Sequence, residues 1–228
     1  MNHIENLVVC TDASRTFGSG LTAVVAVQGT TAHVAPGARI AIAGPSGSGK
    51  STLLHLMAGL ELPTRGQVTW PSFSTDAAER TQDIGVVFQS PSLVPALDVA
   101  ENTALPLVLA GVSEQECAER VAEALDLVGV SELAAKLPEE LSGGQAQRVA
   151  VARVLAQRPR LILADEPTGQ LDHATGQHLI DVLLTTAARI GAALVVTTHD
   201  STVLERLDTH WWMHEGQLRT ATTQGVLS

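Results

Sequence analysis

Four short, largely apolar runs recur along the chain, each ending at a polar residue or a loop. Ile40–Ala43 runs into Gly44, Ile84–Phe88 into Gln89, Leu161–Ala164 into Asp165 and Glu166, and Ala193–Thr198 into His199. Runs this short and this apolar predict strands of a parallel sheet buried on both faces. Elsewhere the period changes to that of a helix. Thr52–Ala58 has a helical pattern, and so does Ser113–Val128, with Cys117, Val121, Leu125 and Val128 on one face and a capping box expected from Ser113 and Glu116. The stretch between Gln89 and Ser142 therefore reads as a helical lobe, entered through the apolar, proline-rich segment Pro91–Leu97. Trp211 and Trp212 are expected on opposite faces of a strand, one in the core and the other at the surface or in a contact.

In an open α/β sheet the ligand sits outside the carboxyl ends of the strands, so the residues that end these runs are expected to converge on one site. The loop after the first run identifies the ligand. Gly44-Pro-Ser-Gly-Ser-Gly-Lys-Ser-Thr52 fits the pattern G-x-x-x-x-G-K-[ST], lying between a strand and a helix as that pattern requires. Backbone N–H groups from Gly44, Ser46, Gly47, Ser48, Gly49, Ser51 and Thr52 would curl around phosphates, and Lys50 would neutralise the β- and γ-phosphates. Asp165 would hold magnesium together with the Ser51 hydroxyl, and Gln89 would touch the metal or the attacking water. Glu166 would polarise that water as general base, and His199 would bond the γ-phosphate and orient the water. The implied cofactors are ATP and Mg2+.

A second anion site is predicted at Leu141-Ser-Gly-Gly-Gln145, where Ser142 would cap a helix whose first free N–H groups, with Gly143, Gly144 and Gln145, face outward. This site lacks a lysine or carboxylate of its own. It becomes useful if it closes over a nucleotide bound elsewhere, which argues for two copies of the chain sandwiching ATP.

Composition narrows the classes. With 228 residues, 45% hydrophobic and 17% charged, the chain can bury the core of one large α/β domain or two small lobes. A net charge of −10, from 14 Lys and Arg against 24 Asp and Glu, leaves no basic stripe for a nucleic-acid backbone. The two cysteines, Cys10 and Cys117, stand without zinc or disulfide spacing, which fits a reducing cytoplasm. Leu7–Cys10 has the look of a lipoprotein cleavage site, but Met1–Asn6 has no basic n-region, so a buried strand cysteine is expected. The longest apolar run, Leu105–Val112, is broken by Pro106 and is too short to span a bilayer.

Taken together these residues resemble the ATP-binding cassette subunit of ABC transporters over nearly the whole length. Gly44–Thr52 stands as Walker A, Gln89 as the Q-loop, Leu141–Gln145 as the signature, Leu161–Glu166 as Walker B, Gly169–Asp172 as the D-loop and His199 as the switch histidine. The resemblance implies a P-loop NTPase fold of the ABC ATPase type: a mainly parallel sheet core, an N-terminal antiparallel β part and an inserted helical lobe. It implies one domain over 1–228, with the RecA-like core and N-terminal β part in 1–89 and 146–228 and the lobe at about 90–145. It also implies a head-to-tail dimer, a separate integral membrane permease as partner, and a place on the inner face of the membrane through that permease. Asp98–Asn102, Leu105–Leu107 and Ala164–Gly169 are similar to cassettes of lipoprotein release and macrolide export, which transmit force to cell-envelope processes.

The chain departs from the family in four places. Gln170 stands where the D-loop usually has asparagine. The segment Gly66–Asp83 is short for a β-hairpin and carries Trp70-Pro-Ser-Phe73. Asp208-Thr-His-Trp-Trp212 replaces the usual residues after the switch histidine. With no tyrosine in the chain, Phe17 takes the position of the aromatic that stacks on adenine, and an ordinary packed hairpin aromatic is the other reading of it. Two alternatives compete with the transporter subunit: a soluble cassette ATPase acting on nucleic acid or ribosomes, and a regulatory cassette that binds ATP without hydrolysing it.

Overall fold

The computed structural model describes residues 5–220. Met1–Ile4, part of the segment expected not to be a leader, lie outside the described residues. In chain order the elements are β1 (Val8–Phe17), β2 (Val24–Val34), β3 (Arg39–Ala43), α1 (Lys50–Ala58), β4 (Arg65–Thr69), α2 (Ala77–Asp83), β5 (Ile84–Val87), α3 (Val99–Leu109), α4 (Glu114–Leu127), α5 (Gly143–Gln157), β6 (Leu161–Asp165), α6 (His173–Ile190), β7 (Ala193–Thr198), α7 (Ser201–Leu204), β8 (Thr209–His214) and β9 (Gln217–Thr220). All four apolar runs are strands, within a residue of the expected ends.

Six strands form the central sheet in the order β5-β6-β7-β3-β8-β9, parallel except for β9. The strands alternate between two cores. Ala41, Ile162, Ala164, Leu194 and Val196 point to the face covered by α5 and α6. Ile40, Ile42, Leu161, Leu163, Ala193 and Val195 point to the face covered by α1 and by a second, antiparallel sheet of order β2-β1-β4. A strand buried on both faces has no use for polar residues until it ends, so the first polar side chain marks the sheet's carboxyl edge. Trp211 is 4% exposed in the core and Trp212 is 50% exposed, as their alternation demands.

The helical stretch after β5 packs α3, α4 and α5 against one another. α5 runs on across the expected boundary at 145 and packs against β5 as well as against α3 and α4, so one helix belongs to both lobe and core. Ser113 caps α4 by accepting from Glu116 N–H at 3.4 Å, but the capping box is only half made: the Glu116 carboxylate pairs with Arg120 one turn on. A charged partner competes better for a carboxylate than a neutral N–H does. Complete boxes stand instead at Asp98 with Glu101 and at Ser142 with Gln145.

The segment Gly66–Asp83 makes no hairpin. β4 pairs with β1, and the chain then turns into α2, capped by the Asp76 side chain. The reason lies in the unusual tetrad: Trp70 Nε1 donates to the Met57 carbonyl at 2.7 Å, and Phe73 is buried beneath Arg160, pinning the chain where a return strand would leave.

Candidate functional site

The loop from Gly44 to Gly49 connects β3 to α1, and tight backbone approaches shape it. A Cβ on Gly49, which has φ of +104°, would lie 2.0 Å from the Ala26 carbonyl oxygen, so only glycine fits there. α1 has no side-chain cap; Gly49 occupies the cap position, which leaves the first-turn N–H groups for an anion. Ser46 and Gly47 are exposed at the loop tip, and Ser51 and Thr52 are half-buried in the first turn. Lys50 is buried, its Nζ donating to the carbonyls of Gly44 at 2.9 Å and Pro45 at 3.0 Å.

The polar ends of three further strands meet at this loop, as the sheet's order requires. Glu166 stands at the centre: one carboxylate oxygen is 3.8 Å from Lys50 Nζ, and the other is 3.5 Å from Gln89 Nε2 and 3.4 Å from His199 Nδ1. Its backbone has φ of +42°, a left-handed conformation that a side chain other than glycine's holds only when its surroundings demand it. Asp165 is buried at the last position of β6. Asp165 and the Ser51 hydroxyl form an oxygen-only donor set, and no group of three His, Cys, Asp or Glu stands together among the described residues. One carboxylate and one hydroxyl suit Mg2+, which keeps several of its waters, better than they suit a metal that needs a full protein cage.

The segment predicted as a second anion site is a capped helix start that lies apart from this cluster. Ser142 caps α5 by accepting from Gln145 N–H at 3.2 Å, and Gln145 Oε1 accepts from Ser142 N–H at 2.8 Å. The Gln145 carbonyl oxygen is thus engaged in its own helix cap. A cavity of about 410 Å³ opens there, lined by Ser142–Gln145, Arg148 and Gln170–Asp172, and it shares no residue with the cavity beside Gly44, Pro45 and His199. The glycines of this segment permit close packing: a Cβ on Gly143 would lie 2.8 Å from Gln170 Oε1, and one on Gly144 would lie 3.0 Å from Leu171 Cδ2. Gln170 therefore contacts the signature of its own chain.

Phe17, 39% exposed, ends β1 with the Arg15 guanidinium 4.6 Å from its ring centroid; Arg15 in turn pairs with Glu61 at 2.6 Å. No hydrogen bond or aromatic pair joins Phe17 to the loop 44–52 among the described residues.

Sequence reasoning missed four polar residues that hold the site together, three of them buried and the fourth, Arg153, half-buried. Gln147 Nε2 donates to the Phe88 carbonyl at 3.2 Å, and Arg153 donates to the carbonyls of Ser92 at 3.0 Å and Pro91 at 3.3 Å. Burial pulls the Arg153 pKa below its ordinary value. Asn102, fully buried, donates to the carbonyls of Val94, Leu97 and Asp98 and accepts from Val94 N–H, clamping the segment after Gln89 onto α3. Thr197 bonds both Asp165 and Glu166. The one legible signal was polar residues inside apolar runs: Arg153 within Val149–Leu155 and Thr197 within β7.

The family model described as ABC transporter matches residues 27–169. The lipoprotein-releasing system ATP-binding protein LolD of Legionella pneumophila (strain Lens) is 41% identical over 211 residues, covering 90% of this chain and 93% of its own. An uncharacterized ABC transporter ATP-binding protein of Mycobacterium tuberculosis (strain ATCC 25618 / H37Rv) is 42% identical over 211 residues, covering 90% of this chain and 85% of its own. Among solved structures, a dimeric bacterial ABC transporter cassette superposes with a TM-score of 0.88 at 34% identity, covering 96% of this chain and 99% of that one. The same cassette as a post-hydrolysis dimer bound to ADP and phosphate gives a TM-score of 0.87.

Proposed function

The chain belongs to the ABC transporter family as an ATP-binding, ATP-hydrolysing cassette, and from that premise we propose that two copies close head-to-tail over two ATP molecules and drive a separate membrane permease. The observation that carries this reading is the position of Glu166, in reach of Lys50, Gln89 and His199 at the end of β6. Glu166 takes the proton of the attacking water, His199 orients that water against the γ-phosphate, and Lys50 turns from the loop carbonyls to the phosphates with the N–H groups of Gly44 to Thr52. Asp165, Ser51 and Gln89 hold magnesium, which when bound neutralises charge on the phosphates. Phe17 offers its free ring face to the adenine.

The separation of the signature cavity from the Walker A loop supports the sandwich, because Ser142–Gln145 reach a γ-phosphate only from a second copy. The helical lobe at about 90–145 then moves with the nucleotide, and Pro91–Leu97, tied to Gln89 and exposed at Val94, Pro95 and Ala96, is the surface that meets the permease. Peripheral attachment to the membrane follows from that contact; among the described residues no helix is long and apolar enough to cross a bilayer. The likeness to a lipoprotein-releasing cassette favours a cell-envelope cargo. The net charge of −10 weighs against a nucleic-acid partner.

The test is Glu166→Gln. Phosphate release is expected to fall by about 100-fold or more, while the variant retains ATP and sediments as a dimer. With ATP present it is expected to co-purify with one integral membrane protein from detergent-solubilised native membranes. Recovery of ribosomal or DNA-associated proteins alone would overturn the transporter reading.

A further inference from the structure

Thr197 is fully buried at the penultimate position of β7, opposite Asp165 in the parallel pairing with β6. Its hydroxyl donates to Asp165 Oδ1 in a short hydrogen bond and accepts from Glu166 N–H at 2.9 Å; that N–H also reaches the Thr197 carbonyl at 3.2 Å. A hydroxyl has one proton, so donation to Asp165 leaves its lone pairs for Glu166. The two contacts are therefore one directed chain, in which the Glu166 peptide donates to the hydroxyl and the hydroxyl donates to the carboxylate.

Nothing in the packing of β7 asks for that hydroxyl. Ala193 to Val196 are all apolar and buried, the ladder to β6 and β3 uses backbone groups, and valine would fill the same volume. What the hydroxyl contributes is local: it sets the rotation of a buried carboxylate and braces the next peptide, where Glu166 holds its left-handed backbone.

We propose that Thr197 is a positioning residue for ATP hydrolysis, aligning Asp165 towards the metal and Glu166 towards the water through a single hydroxyl. The proposal rests on the roles given above to Asp165 and Glu166. Thr197 touches neither nucleotide nor water, and its absence shows in turnover and in metal-dependent binding while metal-free binding of ATP is unaffected.

The experiment compares the full chain with Thr197→Val, which keeps the shape, Thr197→Ser, which keeps the hydroxyl, and Glu166→Gln. In Thr197→Val, kcat is expected to fall about 10- to 100-fold with KM for ATP within about twofold of wild type, the range found when an outer partner of a metal ligand is removed. A fluorescent ATP analogue is expected to bind as tightly as to wild type in EDTA, while the midpoint of its Mg2+ titration moves to higher concentration. Thr197→Ser is expected to recover kcat to within about threefold of wild type. Wild-type turnover in Thr197→Val overturns the proposal. So does Thr197→Ser as slow as Thr197→Val, or a loss of EDTA binding matching the loss of kcat, since either marks a packing role alone. Wild-type turnover in Glu166→Gln sinks the reading of Glu166, and this proposal with it.

Discussion

Cys10 sits in β1 with no exposure, and burial alone pushes its thiol from an ordinary 9.0 up to about 12. The sign of the consequence is definite. Above pH 9 the unfolded chain releases this proton while the folded chain keeps it, so its contribution to stability is complete below 9.0 and drains away as pH rises towards about 12. Neither Cys10 nor Cys117 is expected to react with iodoacetamide in the native protein at pH 8, and both are expected to react after unfolding. Labelling of Cys10 before unfolding would show that β1 opens locally. The same residue was readable in the sequence as a strand cysteine because apolar neighbours leave a thiol little else to be. Thr197 was not readable, since its meaning depends on Asp165 and Glu166 lying across a strand pair and not beside it in the chain.

Among the elements, α5 carries the most connections. Its first turn holds the signature, Gln147 holds Phe88 just before Gln89, and Arg153 holds Pro91 and Ser92 just after it. One helix thus links the signature with the segment on either side of Gln89. Asn102 closes the other side of that segment from α3. Asn102→Ala strips the Val94 N–H and the Leu97 carbonyl of their partner and takes the second donor from the Val94 and Asp98 carbonyls, around a side chain with no exposure, and is expected to cost on the order of 2 kcal/mol. Urea unfolding checks this; a loss under 1 kcal/mol, on the order expected at a surface site, would show that water replaces the amide. The helix start at Ser142 was legible from its Ser-Gly-Gly pattern. The use of its far turns was not, because α5 reads as an ordinary helix until β5 and the loop after it are placed alongside.

At the scale of the molecule, the two halves of the chemistry do not meet within one chain. Lys50, Asp165, Glu166 and His199 gather at the end of the sheet, and Ser142–Gln145 stand in a separate cavity against Gln170 and Leu171. A head-to-tail pair predicts complementation. Lys50→Ala and Gly144→Asp are each expected to be inactive alone, the second because even a Cβ there crowds Leu171 and the added carboxylate repels phosphate. Mixed in equal amounts, half of the dimers are hetero and hold one intact site of two, so about one quarter of wild-type ATPase activity should return. No recovery on mixing would place both halves of the site in a single chain.

The four buried strands, the glycine-rich loop after the first of them, the helix cap at Ser142 and the identity of the residues at the strand ends were all legible in the order of residues. These are local facts: a strand buried on both faces stays apolar until it leaves the core, and a loop that cradles phosphate must be glycine-rich. It took the folded chain to show that Glu166 is the centre of the cluster, that Thr197 joins it to Asp165, that Asn102, Gln147 and Arg153 fasten the segment around Gln89, and that α2 stands where a hairpin was in question. Each of these rests on backbone carbonyls and side chains brought together from distant parts of the chain, and a hydrogen bond between such groups depends on their separation in space, which the order of residues does not contain.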